Sequence, residues 1–144
     1  MVLREGAPRL LVLDTNIVLD LLVFSDPSVG ALRKALEAEN VRWLASAAMR
    51  DELARVLDYP RIAARVDSTG STSAEILAQY QRLSQRAEAA ALSVVRCSDR
   101  DDQIFVDLAV KHGACLLSKD HAVLRLRKRL EKLGVMVQNA WHPT

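Results

Sequence analysis

The chain has 144 residues, half of them hydrophobic and 26% charged, with five glycines, four prolines, two cysteines and a formal net charge of +2. That composition excludes disordered, collagen-like and disulfide-stapled classes and fits a single domain spanning 1–144, long enough to withdraw roughly two-thirds of its unfolded surface from water. No apolar run approaches the ~20 residues of a membrane span and no signal-peptide pattern opens the chain, so a cytoplasmic protein is expected, with a charge that permits nucleic-acid binding without demonstrating it.

Leu10 to Leu13 is an apolar run closed by Asp14, the pattern of a buried parallel strand. Ile17 to Phe24 continues as one or two mostly apolar helical turns, and Pro27-Ser28 opens a second helix reaching Glu39. A strand follows at Val41 to Ala45. Ser46 then stands where it can accept the orphan N–H groups of a helix whose Met49, Leu53, Val56 and Leu57 face inward and which Pro60 closes. Asp67 to Ser73 reads as a loop, and Thr72 or Ser73 caps a helix to about Ala90. Ala91 to Val95 is the predicted third strand. Asp99 and Asp102 are spaced like a capping pair ahead of Ile104, Phe105, Leu108 and Ala109, and Gly113 ends that helix. Ala114 to Leu117 is a fourth strand, Asp120 to about Arg129 a short helix, and Val135 to Val137 an edge strand. Strands alternating with helices, without hairpin signals, predict a mostly parallel sheet covered by helices on both faces.

In such a sheet ligands collect beyond the carboxyl ends of the strands. Asp14 ends the first strand, Asp120 follows the fourth, and Glu52 and Asp102 lie in the helices after the second and third, so all four point to one end. Taken singly, each has an ordinary reading: a turn or cap at Asp14, a helix-surface charge at Glu52, a helix-dipole acid at Asp102, an N-cap at Asp120. Together they crowd negative charge that a hard divalent cation, Mg2+ or Mn2+, would balance. No His or Cys cluster supports zinc. Cys97 and Cys115 read as ordinary reduced thiols, and His112, His121 and His142 as surface residues.

Three stretches carry a family resemblance over nearly the whole chain: Leu11-Val12-Leu13-Asp14-Thr15-Asn16-Ile17-Val18; Leu44-Ala45-Ser46 through Glu52-Leu53-Ala54-Arg55-Val56-Leu57 to Pro60-Arg61; and Asp99 through Ala109, followed by Gly113-Ala114 and Leu117-Ser118-Lys119-Asp120. In order and spacing the chain resembles the PIN (PilT N-terminal) domain family, including the VapC-like toxins of bacterial toxin-antitoxin pairs. The resemblance implies a three-layer α/β/α fold and a Mg2+- or Mn2+-dependent ribonuclease. It implies Asp14, Glu52, Asp102 and Asp120 as metal-binding acids, with Asn16 and Ser118 as polar neighbours. Ser118 stands where the family commonly has Thr, which keeps a hydroxyl. The third acid stays open: helical geometry puts Asp101 nearer the apolar stripe, family spacing selects Asp102, and Asp99 would be its cap or polar partner.

The expected chemistry is phosphodiester hydrolysis by water that the cation activates, with RNA as substrate and an antitoxin protein and a second copy of the chain as partners. Arg125, Arg127, Lys128, Arg129 and Lys132 form either a solvated helix face or a rail for RNA. Trp43 and Trp141 read as packing residues rather than base-stacking platforms. The segment from Ile17 to Phe24 packs either in the core or in an interface. A catalytically weak PIN-like scaffold that acts by binding remains the alternative, while a haloacid-dehalogenase-type phosphatase lacks its second Asp after Asp14-Thr15-Asn16, and dinucleotide binding lacks a Gly-rich turn.

Overall fold

The computed structural model describes residues 8–142. In chain order they form β1 (Arg9–Leu13), α1 (Thr15–Leu19), a π turn (Asp20–Phe24), a 3-10 turn (Pro27–Val29), α2 (Gly30–Glu37), β2 (Val41–Ala45), α3 (Ala47–Leu57), α4 (Pro60–Ser68), α5 (Ser73–Leu83) and β3 (Ser84–Arg86). A second 3-10 turn (Arg100–Asp102), α6 (Gln103–His112), β4 (Cys115–Leu117), α7 (His121–Leu124), α8 (Arg127–Glu131) and β5 (Val137–Gln138) complete them. The strands make one parallel sheet of order β3-β2-β1-β4-β5 within a three-layer α/β/α arrangement.

The central strand explains the first sequence motif. A parallel strand covered on both faces needs continuous apolar residues rather than alternation, and Leu11, Val12 and Leu13 are 0%, 0% and 2% exposed. Burying a leucine this completely contributes about 1.5–3 kcal/mol. The chain builds outward from β1 through β2 to β3, then crosses back to add β4 and β5 on the other side. The direction of building therefore reverses between β1 and β4, and there the Asp14 N–H donates to the Leu117 carbonyl at 3.1 Å. Ile17, Val18, Leu19, Leu21, Leu22 and Val23 belong to the common core, so the apolar segment after Asp14 packs inside the molecule up to its last residue, Phe24, which is exposed. Among the described residues no single helix is long and apolar enough to cross a membrane.

Three expectations differ from the structure. The third strand is not residues 91–95 but the polar edge strand β3, because α5 stops at Leu83, where the Ser84 hydroxyl donates to the Tyr80 carbonyl at 2.6 Å. Residues 93–97 instead bond to side chains of α6. The Ser93 N–H donates to Asp107 Oδ1 (2.8 Å), the Cys97 N–H to Gln103 Oε1 (2.6 Å), and Gln103 Nε2 to the Val95 carbonyl (3.0 Å). Pro60 follows the end of α3 but also starts α4 as its first residue, a position where its missing N–H costs nothing, so the loop begins only after Ser68. The helix predicted from Asp120 to Arg129 is broken into α7 and α8.

Trp43 is 1% exposed on β2, its ring meeting that of Tyr80 edge-on at 4.9 Å, and Trp141 is also buried. Both are packing residues. Replacing Trp43 by alanine should lower stability by about 3–5 kcal/mol, since the cavity adds to the lost burial; urea unfolding reads this directly, and a loss under ~1 kcal/mol would contradict this packing.

Candidate functional site

The carboxyl ends of the strands place the acids. Asp14 follows β1, caps α1 and is 3% exposed; its Oδ1 accepts the Ile17 N–H at 2.9 Å and its Oδ2 accepts the hydroxyl of Ser118, the residue after β4. The capping role and a place in the site thus fall on one side chain. Glu52 sits one turn along α3 from the buried Met49 and beside the buried Leu53, is itself partly buried, and accepts the Thr15 hydroxyl through Oε2. Asp51 is exposed and lines a different pocket.

The remaining acids come from helix starts. Asp99 Oδ1 accepts the Asp101 N–H at 2.9 Å and so caps the 3-10 turn ahead of α6, as its spacing predicted. Asp102 ends that turn. Asp120 caps α7 by accepting the Ala122 N–H at 2.8 Å, while its own N–H donates to Ser118 Oγ at 3.1 Å. Ser118 therefore ties Asp14 to Asp120.

A cleft of about 330 Å3 is lined by Asp14, Thr15, Asn16, Glu52, Asp99, Asp101, Asp102 and Asp120, with an apolar wall of Leu19, Val56, Tyr59, Ile62 and Phe105. Carboxylate oxygens of Asp99, Asp102 and Asp120 lie within 4.8 Å of one another. Asp14 and Glu52 border the same cleft outside this tight group. Asp107 is spent on the 93–97 segment. Asp99, expected as a cap or polar partner, thus also offers an oxygen directly.

Sequence reasoning missed two polar contributors. Thr15 bonds Glu52, and Lys119 pairs with the largely buried Asp20 while lowering the proton affinity of Asp14 by its charge. Thr15 adjoins Asp14 in the chain, but nothing local says that α1 turns it toward α3. The basic residues Arg125, Arg127, Lys128, Arg129 and Lys132 are exposed and outside the cleft lining, although the Arg125 charge reaches Asp120. Arg127 donates through Nε to the Val137 carbonyl at 3.2 Å. Cys97 and Cys115 are buried free thiols, His121 and His142 are exposed, and His112 is partly buried rather than on the surface, with its Nε2 enclosed.

Electrostatics decide what the cleft can hold. Burial raises the Asp14 carboxyl, against the donors from Ser118 and Ile17. Burial, then Asp120, Asp99 and Asp14, push Asp102 up to about 8, while its contact with Asp102 and the Ala122 N–H hold Asp120 below the usual carboxylate range. Asp102 Oδ2 is enclosed without a hydrogen-bond donor. Facing carboxylates carry no donor of their own, so that oxygen is satisfied either by a shared proton or by a cation. An all-oxygen set of this kind fits a hard divalent cation.

A pH dependence follows for the metal-free protein. An acid whose folded pKa is raised stabilises fully below its unfolded value, here 3.8, and loses that contribution as pH climbs through the folded value, about 8 for Asp102. Asp14 acts in the same sense, whereas the lowered Asp120 contributes constantly above its usual value of 3.8 and loses that contribution only as pH falls below it. The thermal midpoint in EDTA should therefore decline as pH rises from roughly 4 to roughly 8, and Asp102→Asn should flatten most of that slope. A midpoint equally steep in the variant would place the proton elsewhere.

Comparison with known proteins agrees with this architecture. The PIN domain family profile matches residues 10–122. Eight chains of solved structures match the fold. One, from the crystal structure of VapBC2 from Rickettsia felis bound to a DNA fragment from their promoter, superposes with a TM-score of 0.63 at 13% identity, covering 92% of this chain and 99% of that one. At that identity the likeness speaks for the fold. No curated protein sequence matches significantly. With the family profile spanning both β1 and the Ser118–Asp120 corner, the chain belongs to the PIN domain family.

Proposed function

We propose that this PIN-domain protein is a Mg2+- or Mn2+-dependent endoribonuclease, hydrolysing phosphodiester bonds with water, and the toxin of a type II toxin-antitoxin pair. The observation that carries the reading is the convergence of Asp14, Glu52, Asp102 and Asp120, with Asp99, on one cleft where an enclosed Asp102 oxygen has no donor. Those acids hold the cation. When bound, it supplies acidity to water and neutralises charge that develops on the phosphate oxygens.

The chain's own residues do the rest. Ser118 and the Ile17 N–H fix both oxygens of Asp14, and Thr15 fixes Glu52, so the acids need not reorganise when the substrate arrives. Asn16 is exposed in the cleft lining and offers an amide donor to a phosphate oxygen. The apolar wall, Phe105 and Ile62 in particular, limits water on one side. The exposed Arg125, Arg127, Lys128 and Arg129 attract the RNA backbone from outside the cleft. The R. felis structure pairs its chain within a VapBC2 complex on promoter DNA; by extension an antitoxin protein is the partner here, the chain assembles as a homodimer, and it works in the cytoplasm.

The test is RNA cleavage with Mg2+ or Mn2+ against EDTA, using Asp14→Asn and Glu52→Gln. Both variants should retain the folded circular-dichroism spectrum and lose at least ~100-fold in rate, and Ser118→Ala should lose roughly 10-fold through weaker metal affinity. Cleavage that persists in EDTA or in Asp14→Asn overturns the proposal, and a protein that binds RNA with no metal-dependent cleavage is the scaffold instead.

A further inference from the structure

A second pocket lies on the other side of α3 from the acids. It measures about 470 Å3 and is built from the corner between β2 and α3, the end of α5 and β3. Glu52 lines the acidic cleft, while Arg50 and Asp51, its neighbours in the chain, line this pocket. Consecutive α-carbons are about 3.8 Å apart, so α3 is a wall common to both.

The pocket gathers donors that have no acceptor. Ser46 holds the N-cap position of α3 with an extended backbone, yet its hydroxyl caps nothing, and no other side chain does so. The first-turn N–H groups of Ala47, Ala48 and Met49 are thereby left without a side-chain acceptor at the positive end of an eleven-residue helix, and of these residues Ala47 belongs to the pocket lining. Ser46 is 5% exposed and Tyr80 4%, both residues line the pocket, and neither side chain makes a hydrogen bond among the described residues. Arg50 Nε is fully enclosed and also lacks a partner. Arg86 adds a second guanidinium, and Asp51 the one negative charge. Burial raises the Tyr80 hydroxyl, which keeps its proton. The enclosed Arg50 Nε is costly without an acceptor, and an oxyanion at a helix start accepts from a guanidinium, a hydroxyl and backbone N–H groups at once.

We propose that this pocket is a phosphate-binding subsite that takes an anionic phosphate group on the Ser46 hydroxyl, the α3 first-turn N–H groups and the Arg50 and Arg86 guanidinium groups. Resting on the nuclease reading, it holds a backbone phosphate of the RNA strand beside the one that is cut, with α3 setting the separation between this phosphate and the acids. Two sites of opposite charge on one helix then divide the work: the acids take the cation, the basic pocket takes the strand. A free phosphate group has the same chemistry, and the experiment separates the two.

The full-length protein, kept in EDTA so that RNA stays intact, is titrated with inorganic phosphate and then with a short oligoribonucleotide while backbone amide NMR signals are followed. The amides of Ala47, Ala48 and Met49 should shift with phosphate and not with chloride at equal ionic strength. Arg50→Met should weaken phosphate binding roughly 10-fold, and the surface variant Arg86→Gln should weaken it without any question of folding. The oligoribonucleotide should move the same amides and displace phosphate, with a salt dependence shallower by about one contact in Arg50→Met. Shifts that chloride reproduces, or that survive unchanged in both variants, overturn the subsite. Phosphate binding that the oligoribonucleotide does not displace overturns the strand-holding role and leaves a free-phosphate site. Because this readout needs no cleavage, failure of the nuclease reading appears separately, as absent metal-dependent cleavage in an otherwise phosphate-binding protein.

Discussion

Carboxylates that share one small cleft repel one another, and every local feature around β1 and β4 bears on that repulsion. The apolar strands force the convergence: Leu11 to Leu13 and Cys115 to Leu117 are buried side by side, and their ends carry Asp14 and the Ser118 corner to the point where the sheet's building direction reverses. Burial makes the charges more costly still, which is why Asp102 retains a proton up to about 8. Against this cost the fold sets donors: the Ile17 N–H, the hydroxyls of Ser118 and Thr15, the Ala122 N–H and the Lys119 charge. These donors leave one enclosed oxygen of Asp102 unmatched, to be met by a shared proton or, in the proposed function, by a hard cation.

The same helices that supply acids also fix their positions. Asp14, Asp99 and Asp120 each bond a backbone N–H at the start of a helical turn, so ordinary capping chemistry orients carboxylates to which the proposed function gives a second use. Capping and ligation are therefore compatible, because a carboxylate oxygen that accepts one N–H keeps a further lone pair. α3, by contrast with α1 and α7, is capped by no side chain, and its N-terminus borders the basic pocket rather than the acids. Uncapped donors on one face of α3 and Glu52 on another make this helix the hinge of the charge pattern.

Much of this was legible in the residues. The run from Leu10 to Asp14 marks the central strand, the stripe of Met49, Leu53 and Leu57 orients Glu52, and Gly113 in the left-handed conformation ends α6. Four acids near strand ends pointed to one cleft for the same reason: alternation of strand and helix implies parallel strands, and parallel strands present their carboxyl ends on one side. What escaped was decided by tertiary partners. Ser84 to Arg86 is polar and makes a strand only because β2 offers an edge, while the apolar stretch at 91–95 has its backbone claimed by Gln103 and Asp107. Thr15 beside Glu52 and Asp99 beside Asp120 are contacts between distant stretches that no local spacing encodes. The unused hydroxyl of Ser46 is a further case, since its N-cap position is visible in sequence and its freedom from capping is not.

The central claim is that the cleft between β1 and β4 gathers a hard divalent cation. Crystals of the full-length protein soaked in Mn2+ and measured at the manganese absorption edge test it without reference to any activity. The account predicts an anomalous peak among the carboxylates of Asp99, Asp102 and Asp120, lost in Asp102→Asn. A map with no peak in the cleft, or with its peak elsewhere on the surface, would contradict it.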